Sequence, residues 1–391
     1  PESLRKAIAE GKKILVLINP PYAEASSSEN ASSGGGESKA GVATTEISKF
    51  MSDYGYAKRE LFAQFVARIA LEIPNATLAM FSKLKYINAS NFENFRHVWN
   101  AKYIGGFVVD SKSFDGLKGK FPIGFLVWKT DINAIKKTPI IEISTDVLDR
   151  KSQPIGEKSF YNLPSSVFLS KWLPRLKTDG TNIPLKNAIH PQTAKAKVIS
   201  WLSDSIGYFW CNSNDLQQAN QTAIFSSVFS AGNGYYVTSE NLSKVAIMFS
   251  ARRLIKPTWL NDRDQFLQAT EPLSDEFKNN CLIWMLFHGS NLSASANDLE
   301  WNDKKWSIVN HFIPFTETEV NAPERFESDF MVQYLEGKKL SSEAKAVMNE
   351  GRKLWQAYFS KVDVRNVRDE LKLNRSDVGW YQVRKALEAR N

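Results

Sequence analysis

Residues 14–22, which read Ile14-Leu15-Val16-Leu17-Ile18-Asn19-Pro20-Pro21-Tyr22, decide the fold. Five consecutive apolar residues, most of them branched, predict a central strand that is buried on both faces. Proline cannot donate a hydrogen bond to a strand ladder, so the two prolines end the strand and stiffen the chain behind it. The sequence therefore predicts a rigid tip at the carboxyl end of a strand, where ligands bind in open α/β sheets.

The residues of this tip suit the binding of a planar amino group. The Asn19 side-chain oxygen and the Pro20 carbonyl oxygen can accept its two hydrogens, while the Tyr22 ring stacks on the aromatic ring that carries the group. Accepting both hydrogens keeps electron density on the nitrogen and turns its lone pair toward an electrophile. The alternative is a strand that ends in a Pro-Pro turn, with Asn19 as a turn former.

A strand followed by Asn19-Pro20-Pro21-Tyr22 resembles the catalytic motif of the S-adenosylmethionine-dependent amino-methyltransferases. That group includes adenine-specific DNA methyltransferases and protein-glutamine methyltransferases. The resemblance implies S-adenosyl-L-methionine as the cofactor and Asn19, Pro20, Pro21 and Tyr22 as catalytic residues. It also implies direct transfer, in which the nitrogen held by the tip attacks the sulfonium methyl group without a covalent enzyme intermediate.

The chain behind the tip continues the resemblance. Residues 25–41 are rich in Ser, Gly, Asn and Lys, which predicts either a passive linker or a lid over the site. Hydrophobic periodicity then predicts alternating helices and strands. In order, these are a helix over 56–73, a strand over 77–81, a helix over 91–99, and strands over 103–109 and 121–128. This order matches the second half of a Rossmann-like methyltransferase sheet, whose last two strands form an antiparallel hairpin.

Further site residues are predicted from the resemblance and from position. In the family, the final strand carries a residue that packs on the far side of the target base from Tyr22, and Trp128 occupies that position here. Phe121 and Phe125 are alternatives, and ordinary core packing is the other interpretation of Trp128. Lys83 and Lys85 follow the strand over 77–81, where they line the substrate mouth, contact phosphate or form a solvated loop.

The sequence motifs with which the family binds its methyl donor are not found ahead of the Asn-Pro-Pro-Tyr motif. In DNA methyltransferases of this motif order, a Gly-rich turn and an acidic residue precede the Asn-Pro-Pro-Tyr motif, but few residues precede Asn19 here. The later Gly232-Asn233-Gly234 is better explained as a hairpin turn. We therefore expect an N-terminal half, from a longer polypeptide or another chain, to complete the donor site.

The region beyond residue 135 changes character. We predict a catalytic region over 1–135, a DNA target-recognition region of mixed α and β structure over 136–325, and a helical region over 326–391. A strand is predicted over 245–249. The basic cluster that follows it ends near an aromatic residue, Trp259, a pattern that suits phosphate contact with stacking. The DNA-binding candidates in this cluster are Arg252, Arg253 and Lys256, and a surface loop is the alternative.

Composition sets the remaining limits. The chain has 391 residues, a net charge of +8 and a pI near 9.2, which is compatible with a polyanionic partner. Two cysteines disfavour a disulfide scaffold and suit the cytoplasm. The four histidines show no metal-ligand spacing, and no apolar run is long enough to cross a membrane.

The size of the region after the last predicted strand favours a DNA enzyme, because reading base edges needs an additional surface. The sequence thus predicts an α/β protein that acts on double-stranded DNA as part of an adenine-specific methyltransferase. A target base inside a duplex must be flipped out. We expect a restriction–modification system, with a nuclease or specificity subunit as a further partner. The alternatives are a non-catalytic DNA-binding or specificity module, and an enzyme that modifies glutamine or RNA.

Overall fold

The described chain folds into two compact units. The computed structural model describes residues 1–22, 45–73, 75–115, 117, 119–131, 141–189, 198–211, 214–230, 234–301, 303–361 and 379–389. The first unit comprises Pro1–Phe168, Asp215–Gln217 and Pro257–Gln265. The second comprises Leu169–Asn214, Gln218–Lys256 and Phe266–Asn391.

The first unit is a mixed α/β structure built on one sheet. Among the described residues this sheet has six strands in the order β1-β2-β4-β3-β5-β6. The strands are β1 (Leu15–Ile18), β2 (Thr77–Lys83), β3 (Ala101–Asp110), β4 (Pro122–Thr130), β5 (Glu142–Leu148) and β6 (Pro154–Tyr161). The α-helices are α1 (Glu2–Ala9), α2 (Leu61–Glu72), α3 (Lys85–Asn88) and α4 (Glu93–Val98).

The strand directions determine which residues share an edge. Strands β1 and β2 are parallel, whereas β4 runs antiparallel to both β2 and β3. The predicted antiparallel hairpin is therefore present, with β4 inserted between β2 and β3. Its strands approach closely at Gly106, whose φ is +153° and where a Cβ would lie 2.3 Å from the Phe125 carbonyl oxygen.

The core of this unit lies against one face of the sheet. Helix α2 follows the predicted periodicity and buries Phe62 and Val66 against Leu78 and Met80 of β2 and their neighbours. Burial of such side chains is the main stabilising contribution in a domain of this kind. The predicted helix over 56–73 begins later than expected, because 3₁₀ turns occupy Ser52–Arg59.

The prediction that the first strand is central and buried on both faces is wrong. Among the described residues β1 pairs only with β2 and lies at the sheet edge. Val16 and Ile18 pack against the core, whereas Leu15 and Leu17 are 67% and 68% exposed. An apolar run without alternation therefore has one face in the core and one face that the described residues leave uncovered.

The second unit combines small sheets with helices. Its strands are β7 (Gly180–Asn182), β8 (Ile199–Trp201), β9 (Gly207–Cys211), β10 (Thr222–Phe225), β11 (Gly234–Val237), β12 (Ala296–Trp301) and β13 (Lys304–Ile308). Its helices are α5 (Leu185–Ile189), α6 (Leu242–Leu254), α7 (Asp275–Phe287), α8 (Glu317–Val320), α9 (Phe330–Leu335), α10 (Ser342–Lys361) and α11 (Trp380–Glu388). Strand β9 pairs with β10 and β11 on its two sides.

One element of this unit differs from the sequence prediction. Residues 245–249 were expected to form a strand but lie in α6, because a short apolar run has the same appearance in a buried helix. The apolar run that ends at Phe287 belongs to α7, whose N-terminus is capped by the Ser274 side chain. Beyond residue 325 the described helices are α9, α10 and α11, and Trp355 of α10 stacks on Trp380 of α11 with ring centroids 5.4 Å apart.

Some predictions fall on residues that the structure does not describe. Residues 25–41 lie outside the described ranges, as do Gly232 and Asn233 of the proposed hairpin turn. The regional assignments 1–135, 136–325 and 326–391 concern function and stay predictions. Within the described ranges, no helix has both the length and the apolar character that a bilayer crossing requires.

Candidate active site at the carboxyl edge of the sheet

The residues Asn19, Pro20, Pro21 and Tyr22, which we call the tip, leave the sheet at the carboxyl end of β1. Pro20 is buried, Asn19 and Pro21 are exposed, and Tyr22 is half-buried. The buried proline fixes the direction of the chain, because its ring locks φ and its surroundings hold the ring. The tip thus presents the Asn19 amide outward from a fixed backbone.

A hydrogen bond inside the tip joins its two polar side chains. The Tyr22 hydroxyl donates to Oδ1 of Asn19 at 3.0 Å. Burial raises the pKa of Tyr22 to about 12, so the hydroxyl keeps its proton at neutral pH and acts as a donor. The Asn19 oxygen that is predicted to accept an amino hydrogen therefore already accepts one hydrogen bond, from Tyr22.

Lys83 attaches the tip to the neighbouring strand. Because β1 and β2 are parallel, their carboxyl ends meet at one edge, and Nζ of Lys83 donates to the Tyr22 carbonyl oxygen at 3.2 Å. The same Nζ lies 5.9 Å from the centroids of the Tyr22 and Phe121 rings. Lys83 thus holds the tip and lies between two aromatic rings, at a distance where cation–π attraction acts.

Lys85, the second lysine of this strand end, has a different role. Its Nζ lies 2.5 Å from Oε1 of Glu60, and the two side chains are only 13% and 0% exposed. A buried carboxylate is costly unless it is paired, so Lys85 serves to neutralise Glu60 inside the unit. This placement corrects the predicted contact between Lys85 and phosphate.

Trp128 lies in the core, at a distance from the tip. It is 1% exposed and donates from Nε1 to the Tyr86 hydroxyl at 3.0 Å. Since β4 is antiparallel, its first residues lie beside the tip, and Trp128 is about 17 Å further along the strand than Ile123, which pairs with Lys83. The predicted stacking of Trp128 on the target base is therefore corrected to core packing.

The two aromatic alternatives to Trp128 are separated by the structure. Phe125 packs against Phe81 and Phe107, with ring centroids 4.8 and 5.4 Å apart. Phe121 precedes β4 at the carboxyl edge and shares the Lys83 ammonium with Tyr22. Of the three predicted aromatic residues, Phe121 is therefore the one that a described contact, through Lys83, links to the tip.

The basic cluster of the second unit is mostly used for internal contacts. Arg252 is 1% exposed and donates from Nε to the Thr222 hydroxyl and from Nη2 to the Gln218 carbonyl, both at 2.8 Å. Its guanidinium is out of reach of a phosphate, which corrects its predicted role. Arg253 donates to the Asn220 carbonyl at 3.0 Å, and burial lowers its pKa. Lys256 is exposed.

A group of basic residues that no local sequence pattern connects lies at the same edge as the tip. Lys112 and Lys120 lie in the connection between β3 and β4, and Arg150 follows β5. All three line one cleft of the first unit. Strand order could have indicated this grouping, because the carboxyl ends of β1, β2, β3 and β5 meet the amino end of β4 at one edge.

The strand ends at this edge are the places where a Gly-rich turn for the methyl donor would lie. No Gly-rich turn follows a strand at this edge in the described ranges, where the strand ends lead into Asn19, Leu84, Ser111 and Asp149. The described residues at these strand ends therefore do not supply the Gly-rich turn that the resemblance implies for a methyl-donor site. Among the same described residues, no group of three or more His, Cys, Asp or Glu side chains could hold a metal ion.

Comparison with known proteins gives low similarities. No protein-family model and no curated protein matches the sequence. A structure described as the ATP-dependent Type ISP restriction-modification enzyme LlaBIII bound to DNA is similar at 11% identity and a TM-score of 0.23, over 38% of this chain and 11% of that chain. A DrdV–DNA complex is similar at 10% identity and a TM-score of 0.25, over 53% of this chain and 23% of that chain. Similarity at this level establishes neither a shared fold nor a shared activity.

Proposed function

We propose that this chain supplies the base-holding part of an adenine-specific DNA methyltransferase that uses S-adenosylmethionine as methyl donor. The observation that carries the proposal is the tip itself: an exposed Asn19 amide on a proline-fixed backbone, with the Tyr22 ring held beside it. An aromatic ring beside two hydrogen-bond acceptors suits a flipped base that carries an exocyclic amino group.

The order of the strands supports this proposal. The tip follows the first of two parallel strands, and an antiparallel strand is inserted next to the second. The resemblance to the amino-methyltransferases implies an antiparallel hairpin of the last two strands, and β3 and β4 are antiparallel neighbours. The tip lies at the carboxyl edge, which is where open α/β sheets bind their ligands.

The proposed roles of the residues are positional. Oδ1 of Asn19 and the carbonyl oxygen of Pro20 accept the two amino hydrogens, and the Tyr22 ring stacks on the base. The Tyr22 hydroxyl releases Oδ1 when the base arrives. Lys83 holds the Tyr22 carbonyl and so fixes the distance between ring and amide. Such preorganisation reduces the rearrangement needed at the moment of reaction.

The methyl donor is proposed to bind to residues other than those described. When bound, it would supply an electrophilic methyl group to the amino nitrogen. We propose that a longer polypeptide or a second chain completes this site, in a restriction–modification assembly that includes a nuclease or specificity subunit. The described residues would then bind the flipped base and contribute part of the DNA-binding surface.

The test measures methylated bases in a bacterial host whose own DNA has no methylated adenine. The full polypeptide, its Asn19→Ala variant and a control Asn91→Ala variant, in which another exposed asparagine of the same unit is changed, are expressed at equal levels. Genomic DNA is hydrolysed and N6-methyladenine is measured by mass spectrometry. We expect methyladenine with the wild type and the control and a loss of at least about 100-fold with Asn19→Ala. Equal amounts with Asn19→Ala would exclude the role of Asn19.

A second candidate is a non-catalytic DNA-binding or specificity module, which the lack of a donor site among the described residues favours. The two candidates differ in donor binding by the full polypeptide, measured by calorimetry with S-adenosylhomocysteine.

The same mass spectrometry, applied to protein and RNA hydrolysates, tests the glutamine and RNA alternatives. Methylglutamine or methylated RNA that depends on Asn19, with unmethylated DNA, would replace DNA as the substrate.

A further inference from the structure

A polar cleft of about 560 Å³ opens on the first unit. It is lined by Asp110, Lys112, Lys120, Arg150, Gln217, Pro257, Thr258, Trp259 and Asp262. Three of these residues are cations that come from the carboxyl edge of the sheet. We call this the basic cleft, and all of its residues belong to the first unit.

Two lysines of the basic cleft stand on a well-braced connection. Ser111 pairs with Phe121 through a backbone hydrogen bond of 2.9 Å, and the Ser111 hydroxyl donates to the Gly119 carbonyl at 2.8 Å. These bonds close the base of the connection, so that Lys112 on one side and Lys120 on the other are held near each other. Both side chains are exposed, and no ion pair joins either of them to another described residue.

Arg150 adds a third cation and an acidic partner. Its Nη2 lies 3.2 Å from Oδ2 of Asp110, while 59% of the arginine side chain stays exposed. Asp110 also accepts the backbone N–H of Lys112 at 3.1 Å. The carboxylate is thus satisfied within the protein, and Arg150 keeps further N–H groups that can donate to a ligand.

Trp259 forms a flat wall of the same cleft. Trp259 is half-buried and packs against the core of the first unit. The turn that carries Trp259 is fixed by a hydrogen bond of 2.7 Å from the Thr258 backbone N–H to the Asn261 side chain. A braced aromatic surface beside basic side chains is typical of sites that bind a charged backbone together with its sugars or bases.

We propose that the basic cleft binds the phosphates of a nucleic acid, with Lys112, Lys120 and Arg150 as the phosphate ligands and Trp259 as a packing surface. The identification of the ligand as DNA rests on the proposed function; the recognition of phosphate rests only on the chemistry of the cleft. Phosphate suits this set because lysine supplies point charge and arginine supplies directed N–H groups.

The distance between cleft and tip fits one bound strand. Lys112 and Lys120 lie in the connection between β3 and β4, and Arg150 follows β5, so the cations are two to four strand positions from β1 in the sheet. At roughly 4.8 Å per strand this is about 10–19 Å. DNA advances by about 3.4 Å per nucleotide of one strand, so the proposed contacts fall on phosphates about three to six nucleotides from the base at the tip.

The test compares two double variants of the full chain that each remove two positive charges. Lys112→Gln/Lys120→Gln alters the cleft, and Lys13→Gln/Lys102→Gln alters exposed lysines at the opposite, amino edge of the sheet. Binding of a fluorescein-labelled DNA duplex is followed by anisotropy at several KCl concentrations. Thermal unfolding of each variant checks that the fold is retained.

The expected result is a loss of affinity of about 10-fold or more for the cleft variant, with a salt slope smaller by about 2, since each lost phosphate contact removes about one unit of slope. The control variant should bind nearly as the wild type does, with a loss below about threefold. Equal losses in the two variants would overturn the cleft as a phosphate site and leave the proposed function standing.

Two further ligands distinguish a failure of the cleft proposal from a failure of the proposed function. Inorganic triphosphate, as an unlabelled competitor, should displace the duplex from the wild type more effectively than from the cleft variant. A labelled single-stranded RNA of the same length serves as the second probe. Cleft-dependent binding of RNA or triphosphate without binding of duplex DNA would support the phosphate site and overturn DNA as its ligand. If the cleft variant binds all three ligands as the wild type does, the cleft is not a phosphate site.

Discussion

The Tyr22 hydroxyl donates a 3.0 Å hydrogen bond to Oδ1 of Asn19, the same oxygen that the proposed function assigns to an amino hydrogen of the base. Oδ1 of Asn19 therefore has an internal partner when no base is bound. A hydrogen bond between partly exposed side chains contributes about 1 kcal/mol, so a base that stacks on Tyr22 can displace it. Tyr22 then has two separable roles, as a stacking surface and as a competitor for Asn19.

Two substitutions separate these roles of Tyr22. Tyr22→Phe keeps the ring and removes the hydroxyl, so we expect affinity for a single-stranded oligodeoxyadenylate to stay equal or rise by up to about fivefold. Tyr22→Ala removes the stacking surface and should weaken binding by about 10-fold or more, since stacking contributes about 1–3 kcal/mol per base. Fluorescence anisotropy measures both. Equal losses in the two variants would show that the ring has no stacking role.

Lys83 should behave differently from the lysines of the basic cleft. Its Nζ donates to the Tyr22 carbonyl, so Lys83→Met is expected to loosen the tip while phosphate contacts elsewhere persist. We expect Asn19-dependent methyladenine to fall by about 10-fold and duplex affinity to change by less than about threefold. The salt slope of binding should stay as in the wild type. A fall in slope like that of the cleft variant would instead place Lys83 on a phosphate.

The sequence predicted the elements around the tip because their signals are local. The prolines predict the end of β1, and the hydrophobic periodicity over residues 61–72 predicts α2. The hairpin of β3 and β4 is predicted because the two strands are neighbours in the sequence. The burial of β1 was predicted wrongly because it depends on neighbours that no local pattern specifies. An apolar run such as Leu15 to Ile18 is compatible with a central strand and with an edge strand, and here it lies at the edge of the described sheet.

Adjacent residues of β1 provide a test of this edge position. Leu17 is 68% exposed, whereas Ile18 packs against the core. Leu17→Thr should lower the free energy of unfolding by less than about 0.5 kcal/mol, while Ile18→Thr should lower it by about 1–2 kcal/mol. Urea unfolding of the two variants measures the difference. Similar losses above about 1 kcal/mol at both positions would mean that Leu17 is covered in the native protein.

The other differences between prediction and structure concern long-range placement. Arg252 has the sequence context of a surface cation, but its guanidinium satisfies Thr222 and Gln218 inside the second unit. Trp128 is predicted at the site from its position in the final strand, but β4 runs antiparallel to β2 and carries Trp128 away from the tip. The basic cleft joins residues more than one hundred positions apart, so only the folded chain reveals that Lys112 and Trp259 share a site.

Asp262, in the wall of the basic cleft, makes the stability of the protein depend on pH. Asp262 is 4% exposed, and burial raises the pKa of its carboxyl group to about 6. The positive charge of Arg263 lowers the pKa, whereas the negative charges of Asp215 and Asp264 raise it further. Nε of Arg263 lies 3.2 Å from Oδ2 of Asp262, but that oxygen accepts no hydrogen bond from a described residue. Desolvation of the carboxylate therefore outweighs the ion pair.

The sign of the effect follows from proton binding. Between about pH 4 and pH 6 the folded protein holds a proton on Asp262 that the unfolded chain has lost, so stability is full below about pH 4 and falls as the pH rises through about 6. In the Asp262→Asn variant the side chain at this position stays neutral at every pH. The variant's free energy of unfolding relative to the wild type should therefore rise with pH from about 4 to about 7, by at most about 3 kcal/mol. Urea unfolding at several pH values measures this difference, and Asp115→Asn, at an exposed position, controls for the removal of one negative charge. A relative stability that stays constant or falls over this range would mean that Asp262 is ionised without cost, as expected if its ion pair with Arg263 compensated fully for burial.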